Sequence, residues 1–198
     1  MALRLSAQHP ALILAALGAM SGTLGTTALG VGVGDAPHLG LYMVLTGLWF
    51  GAVVAFGVWR WGNPSWSAAV TALVATWIGW EFAVNLAMQL SENWLKATAL
   101  SPTMRTFVGG FAAGAVGASM TWAGAAASAS ALRQISVLAR FVTMGALFGL
   151  LLQLTNQFDS PAILLIPWQV AVATLLGICL APRQVADPSS GTLSPRGG

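Results

Sequence analysis

One acidic side chain lies inside a long apolar stretch of this sequence, and it is the residue best placed to do chemistry. The stretch covers residues 65–90, and the acid is Glu81. About 20 apolar helical residues span the hydrocarbon layer of a bilayer, so the stretch predicts a transmembrane helix. A carboxylate at membrane depth costs roughly 2.5 kcal/mol or more unless it faces protein, water or a counter-charge. Glu81 therefore marks a sheltered position that can hold a proton, a cation or a basic side chain.

Several polar side chains are predicted to lie close to Glu81. On a helical wheel of about 100° per residue, Trp77, Asn85 and Gln89 fall on the same side of the helix as Glu81. In the last apolar segment Gln169 lies at a similar depth, about 12 Å below the outer boundary by the 1.5 Å helical rise. We predict an outward-facing polar pocket for a substrate or ion, closed below by tryptophans and glycine-rich helices. Its predicted residues are Glu81, Asn85, Gln169, Gln153, Arg105 and Trp77, and its floor is Trp77, Trp80 and Trp168.

Glu81 has two interpretations. In the functional one, the carboxylate binds a cation or proton directly, or it holds Arg105 as the counter-ion for a substrate. In the structural one, Glu81 is protonated or paired with Arg105 and joins the helices of the bundle. Intramembrane carboxylates favour the functional interpretation. A glutamate in the outer half of a span can also reach the interface, so the sequence leaves both interpretations open.

The composition predicts an integral membrane protein. Of the 198 residues, 57% are hydrophobic and 7% are charged, against roughly 25% charged residues in soluble domains. The mean hydropathy is +0.78. The basic residues are few and lie at segment ends, which is typical of loop charges that set topology and argues against nucleic-acid binding. The lipid bilayer is therefore the expected environment.

The apolar segments predict an all-α fold, a polytopic membrane bundle of six transmembrane helices in one domain, residues 1–181. The first segment could instead be a signal peptide, but its hydrophobicity continues well past a small-residue cluster, which favours a retained helix. Residues 182–198 are rich in Pro, Ser and Gly and predict a disordered cytoplasmic tail. The predicted spans are 11–34, 39–59, 65–90, 102–127, 137–154 and 161–180.

The basic residues predict the orientation of the bundle. Six spans place both termini on one side of the membrane. With the termini in the cytoplasm, Lys96 and Arg105 are the basic residues left outside, and the others lie inside. Because cytoplasmic loops carry an excess of Lys and Arg, this orientation is favoured, and we expect a cell inner (plasma) membrane protein.

Glycines recur at helix-packing spacing in the first and fourth spans. Gly18 and Gly22 form one small-xxx-small pair, and Gly110 and Gly114 form another. Such pairs let two membrane helices approach closely. The shared pattern also raises the hypothesis of a duplicated three-helix unit, which would place the two halves in opposite orientations as in inverted-repeat transporters. The alternative is chance, because a chain with 23 glycines produces such matches easily.

Enzyme interpretations find little support in the sequence. The string closest to a rhomboid protease motif, residues 117–120, is followed by no histidine. A Walker loop, paired aspartates and metal-ligand spacing are all missing from the sequence. His9 and His38 lie at segment ends and argue against a haem. We therefore expect no enzymatic activity, no catalytic residue, no metal and no cofactor.

Two functions follow from these patterns. The first is a small-solute or ion transporter or channel, or its substrate-binding membrane subunit, with an outward-facing pocket around Glu81. In size, span number and small-xxx-small first helix the chain is similar to the substrate-binding membrane subunits of vitamin importers, a general likeness without a shared motif. The second is a non-transporting subunit of a larger complex that packs through its glycine-rich helices. A homo-oligomer or a membrane partner subunit fits either function.

Overall fold

The structure, a computed structural model, describes residues 9–27, 41 and 43–181. The regular elements in this part of the chain are helices. The predicted all-α class is confirmed for these residues. α2 and α3 each continue into a π-helical turn, Val58–Gly62 and Gln89–Trp94, and a short 3₁₀ turn, Ser130–Leu132, follows α4. The helices are α1 (Pro10–Thr27), α2 (Val44–Gly57), α3 (Trp66–Met88), α4 (Pro102–Ser128), α5 (Ile135–Gly149), α6 (Leu152–Phe158) and α7 (Ala162–Leu180).

The helices overlap the predicted spans, with one break. The predicted span 137–154 is divided between α5 and α6, because Leu150 and Leu151 donate their backbone N–H groups three residues back, to Leu147 and Phe148. This tighter turn ends α5 and redirects the chain into α6. Residues 28–34 of the first span, most of 39–43 and the predicted tail 182–198 lie outside the described residues.

Among the described residues, five stretches are long and apolar enough to cross a membrane: α1, α2 with its turn, α3 with its turn, α5 with α6, and α7. Large apolar side chains also cover much of the outer surface, among them Val70, Ile78 and Phe82 along α3. A soluble monomer rarely exposes so much contiguous apolar surface. These features are those of a multi-pass integral membrane protein.

Helix α4 is less apolar than the five, because glycine, serine and threonine lower its mean hydropathy. It nevertheless lies antiparallel to α3 along the full length of that helix. Gly109 contacts Ala87 near the end of α3, and Gly124 contacts Ala75 nearer its start. We call the end of the bundle where α3 ends and α4 begins the distal end, and the opposite end the proximal end.

Glycines bring α4 and α5, and likewise α1 and α7, into backbone contact. In the α4–α5 pair, Gly110 faces Gly149 and Gly114 faces Gly145, and a Cβ atom on any of them would overlap the backbone of the opposite helix. Close approach of this kind replaces the hydrophobic driving force that is missing between helices in lipid. α4 is therefore held on one side by α3 and on the other by α5.

The α1–α7 pair is built in the same way. A Cβ atom on Gly18 would lie 2.8 Å from the carbonyl oxygen of Gln169, and one on Gly22 would lie 2.7 Å from the Cα atom of Ile166. Near the proximal end, Gly177 of α7 meets Ala11 of α1. The two predicted glycine pairs, on α1 and on α4, thus lie in two different helix interfaces.

Substituting Gly114 tests the backbone contact between α4 and α5. Gly114→Ala places a methyl group against the carbonyl of Gly145, and we expect it to destabilise the protein by about 1–3 kcal/mol through overpacking. Gly117→Ala on the same helix is the matched control, since its Cβ atom would lie 3.2 Å from the Cβ atom of Ala83. Thermal unfolding of both variants in detergent measures the difference. Equal melting temperatures would show that the contact is looser than described.

Candidate binding cavity

A cavity of about 400 Å³ lies between α3, α4, α7 and the α5–α6 junction. It extends from the middle of the bundle to the distal end, where exposed side chains such as Glu92 and Asn156 surround it. Most of its lining is apolar. Its described lining residues are Met43, Trp80, Ala83, Val84, Ala87, Met88, Ser91, Glu92, Gly110, Ala113, Gly114, Gly117, Gly149, Leu152, Thr155, Asn156, Pro161, Leu164, Leu165 and Trp168.

Two tryptophans close the cavity at mid-bundle. The rings of Trp80 and Trp168 meet edge to face with centroids 5.5 Å apart, and Phe50 packs against both from α2, at 6.4 and 5.5 Å. Aromatic pairs in this geometry stabilise by about 0.5–1.5 kcal/mol beyond the area they bury. The Nε1 group of Trp168 also donates to the carbonyl oxygen of Gly145, at 3.2 Å. The floor, which α3 and α7 supply, is therefore in contact with α2 and α5 as well.

One wall of the cavity is supplied by α4 and is made of small residues. Gly110, Ala113, Gly114 and Gly117 recur at three- and four-residue spacing, so they share one face of α4. The glycines bring the backbone of α5 into contact, and the same short side chains leave the space beside that contact unfilled. The opposite wall has larger apolar side chains, including Leu164 on α7.

The mouth of the cavity is more polar than its interior. Glu92 and Asn156 are exposed, and the Ser91 hydroxyl is satisfied by the carbonyl oxygen of Ala87 at 2.8 Å. Glu92 is the one ionisable side chain in the described lining. Nearby, Asp159 ends α6 in the left-handed conformation, with φ 47°, and so turns the chain into α7.

Glu81 follows Trp80 of the cavity floor on α3, and its side chain is buried. Its side chain is 6% exposed, and its Oε1 atom accepts a hydrogen bond from the backbone N–H of Met43, at 3.3 Å. Met43 is the residue that immediately precedes α2, and it also lines the cavity. The predicted shelter around this acid is therefore present, although Glu81 itself does not line the cavity.

Polar residues continue along α3 from Glu81 toward the distal end. Asn85 donates from Nδ2 to the carbonyl oxygen of Glu81 at 2.7 Å, and Asn93 donates from Nδ2 to Oε1 of Gln89 at 2.9 Å. These residues recur every four positions, so they stack along one side of the helix and its π-helical turn. The result is a polar stripe from the distal surface to the buried carboxylate.

The other predicted site residues are spread around the bundle. Gln169 is fully buried on α7, and both polar atoms of its amide lack a hydrogen-bond partner among the described residues. Trp77 is half-buried against Gly47 of α2. Gln153 is half-buried on α6, and Arg105 is half-buried in the first turn of α4. None of the six predicted residues belongs to the described lining.

The lining residues that the sequence did not indicate are mainly small and apolar. On α3 they include Ala83, Val84 and Ala87, which lie on a face about 60–160° away from Glu81 at about 100° per residue. The alanines that recur along α3 beside Trp80 were the sequence feature that could have indicated this part of the lining. Nothing in the sequence indicated that Met43 lines the cavity, because its position depends on where the chain enters α2.

In the described part of the chain, no group of three or more His, Cys, Asp or Glu side chains is arranged to hold a metal ion. Comparison with known proteins gives no relative: no protein-family model, no curated protein and no solved structure matches the chain. Fold and cavity together therefore define a multi-pass membrane protein with a largely apolar cavity open at one end.

The buried amide of Gln169 gives a stability prediction. A buried polar group without a hydrogen bond costs about 1–3 kcal/mol, so Gln169→Met, which keeps the length of the side chain, is expected to raise the melting temperature in detergent. Gln153→Met is the control, because Gln153 is only half-buried and should change stability little. A drop in stability for Gln169→Met would show that the amide is satisfied in the membrane.

Proposed function

We propose that the protein binds a small, largely apolar solute in this cavity, as a transporter or as the substrate-binding membrane subunit of one. The observation that carries the proposal is the cavity itself, with its aromatic floor, small-residue walls and polar mouth. Its volume of about 400 Å³ falls within the range of about 300–1,000 Å³ of small-molecule sites, which are mostly apolar with few polar groups. The proposal includes no enzymatic activity.

The ligand class is narrower than the sequence alone indicated. An ion binds oxygen ligands or charges, whereas the cavity interior offers aromatic rings, methyl groups and glycine backbone. Beyond Trp80 and Trp168 the proximal half of the bundle is filled by side chains such as Phe50, Val54 and Leu176, each with 0% exposure. A solute bound above this floor would need a conformational change to go further, which favours a transporter or binding subunit over a channel.

We propose six membrane spans, with α4 as the fourth. The support is the antiparallel packing of α4 along α3 and α5, which places its ends at opposite ends of the bundle. With six spans, the distribution of Lys and Arg puts both termini in the cytoplasm and the distal end outside. The cavity then opens outward from a cell inner (plasma) membrane.

The inverted repeat is part of the same proposal. If α1, α2 and α3 correspond to α4, α5 and α7, each half sends its first helix against the third helix of the other half: α1 packs on α7, and α4 packs on α3. Trp80 and Trp168, one from each third helix, meet between the halves. Glycine pairs at Gly47 and Gly51 on α2 and at Gly145 and Gly149 on α5 add a further match.

The structural-subunit function has less support. It requires a glycine-lined face that is open to a partner, but the described glycines of α1 and α4 contact α7, α2, α3 or α5 of the same chain. A homo-oligomer or a partner subunit remains a prediction that the cavity does not require.

Filling the cavity tests the proposed function. Val84→Trp puts a bulky side chain into the lining, and Val74→Trp makes the same change on the exposed side of the same helix. We expect Val84→Trp to weaken binding of 1-aminoanthracene, a neutral fluorescent aromatic amine, by about ten-fold or more, about 1.4 kcal/mol. The measurement is a fluorescence titration of protein in lipid nanodiscs, corrected with empty nanodiscs. Equal affinities in both variants would place the probe elsewhere.

Cysteine labelling tests the six spans and the orientation. In a Cys179→Ser background, Thr98→Cys and Ala131→Cys place exposed thiols on either side of α4. We expect a membrane-impermeant maleimide to label Thr98→Cys in right-side-out vesicles, and to label Ala131→Cys only after permeabilisation. Labelling of both thiols from the same side would remove α4 from the spans.

A further inference from the structure

The buried carboxylate of Glu81 contacts a residue of the cavity lining. The Oε1 atom accepts the backbone N–H of Met43, at 3.3 Å. The same Met43 lines the cavity, and on α3 the residue next to Glu81 is Trp80 of the cavity floor. A change in Glu81 is therefore transmitted to two parts of the cavity lining without any contact between Glu81 and a solute.

We propose that Glu81 is a proton-binding site coupled to solute binding, an inference that rests on the proposed function of the cavity. In the ionised state, Glu81 holds Met43 at the N-terminus of α2 and the cavity is formed. When Glu81 takes a proton from the distal aqueous phase it becomes a neutral carboxylic acid, Met43 is held less tightly and the cavity binds its solute more weakly.

The strength of the contact depends on the charge of the acid. A hydrogen bond to an ionised acceptor is roughly twice as strong as a neutral one. The start of a helix also carries partial positive charge, which favours an anion there. Met43 directly precedes α2, so both effects act on the same contact, and protonation of Glu81 weakens both. A buried acid in a membrane span is the kind of group that serves in proton relays.

The polar stripe on α3 places polar side chains between Glu81 and the distal surface. Asn85 is bonded to the backbone of Glu81, and Gln89 is bonded to Asn93 at the distal surface. The described elements that pack on α3 bring few other charges: Arg105 in the first turn of α4, Glu92 in the turn after α3, and Arg60 near the proximal end. α7, whose Trp168 touches Trp80, adds Cys179 near its proximal end. Glu92 is thus the second carboxylate that has to be controlled for.

Binding of 1-aminoanthracene at two pH values tests the coupling. For the wild-type protein in nanodiscs we expect affinity to fall by at least about five-fold between about pH 8 and about pH 5.5, a typical allosteric coupling. Glu81→Gln, a neutral acceptor of the same shape, should bind with the weaker affinity at both values. Glu92→Gln removes the ionisable group at the cavity mouth; whatever its absolute affinity, its ratio of affinities between the two pH values should equal that of the wild type. The inference is overturned if Glu81→Gln keeps the dependence, or if Glu92→Gln loses it.

A second measurement uses the wild-type protein alone, so it requires no ligand and does not depend on whether a variant folds. Amide hydrogen exchange of the peptide that contains Met43, corrected for the intrinsic effect of pH, should show less protection in the wild-type protein at the lower pH. If the probe fails to bind any variant but this protection changes with pH, the proposed function fails and the Glu81–Met43 coupling stands. Protection that is the same at both pH values overturns the coupling, whatever the probe does.

Discussion

The structure depends on backbone-to-backbone contact between helices at glycine. In lipid, apolar side chains gain nothing by leaving the solvent for each other, so association relies on close packing and on hydrogen bonds. Gly110 and Gly114 bring α4 against α5, and Gly18 and Gly22 bring α1 against α7. α1 packs on α7 and α4 packs on α3, and α3 and α7 meet through Trp80 and Trp168.

The same constraint produces the cavity. A helix face made only of glycine and alanine cannot fill the space beside the helix that it contacts, and α4 has such a face toward α3 and α7. At the proximal end, large side chains from α1, α2 and α7 fill the equivalent space, with Leu14, Val58 and Leu176 fully buried. The cavity is therefore not a packing defect spread over the bundle. It lies at the distal end, where four helices meet and α4 contributes only glycine and alanine side chains to the lining.

Much of the fold could be predicted from the sequence, because a bilayer imposes a minimum length on every apolar helix. α4 shows the limit of that argument, since its glycines lower the hydropathy on which span prediction relies while its packing aligns it with its neighbours. The break after Gly149 could not be predicted, because no proline marks it and the residues that form the tighter turn, Leu150 and Leu151, are ordinary helix formers.

The candidate site was predicted in part, for a physical reason. Sequence patterns identify groups that are costly in lipid, and Glu81 is sheltered as that cost requires, at 6% exposure. They do not identify empty space, which depends on the relative positions of four helices. A polar pocket was expected around the acid, but Glu81 does not line the cavity, whereas its neighbour Trp80 does. This separation bears on the proposed mechanism. A carboxylate in the lining would favour cationic solutes, whereas the proton exchange that we propose at Glu81 leaves the charge of the apolar lining unchanged. In that proposal, Met43 and Trp80 are the residues through which Glu81 and the cavity influence each other.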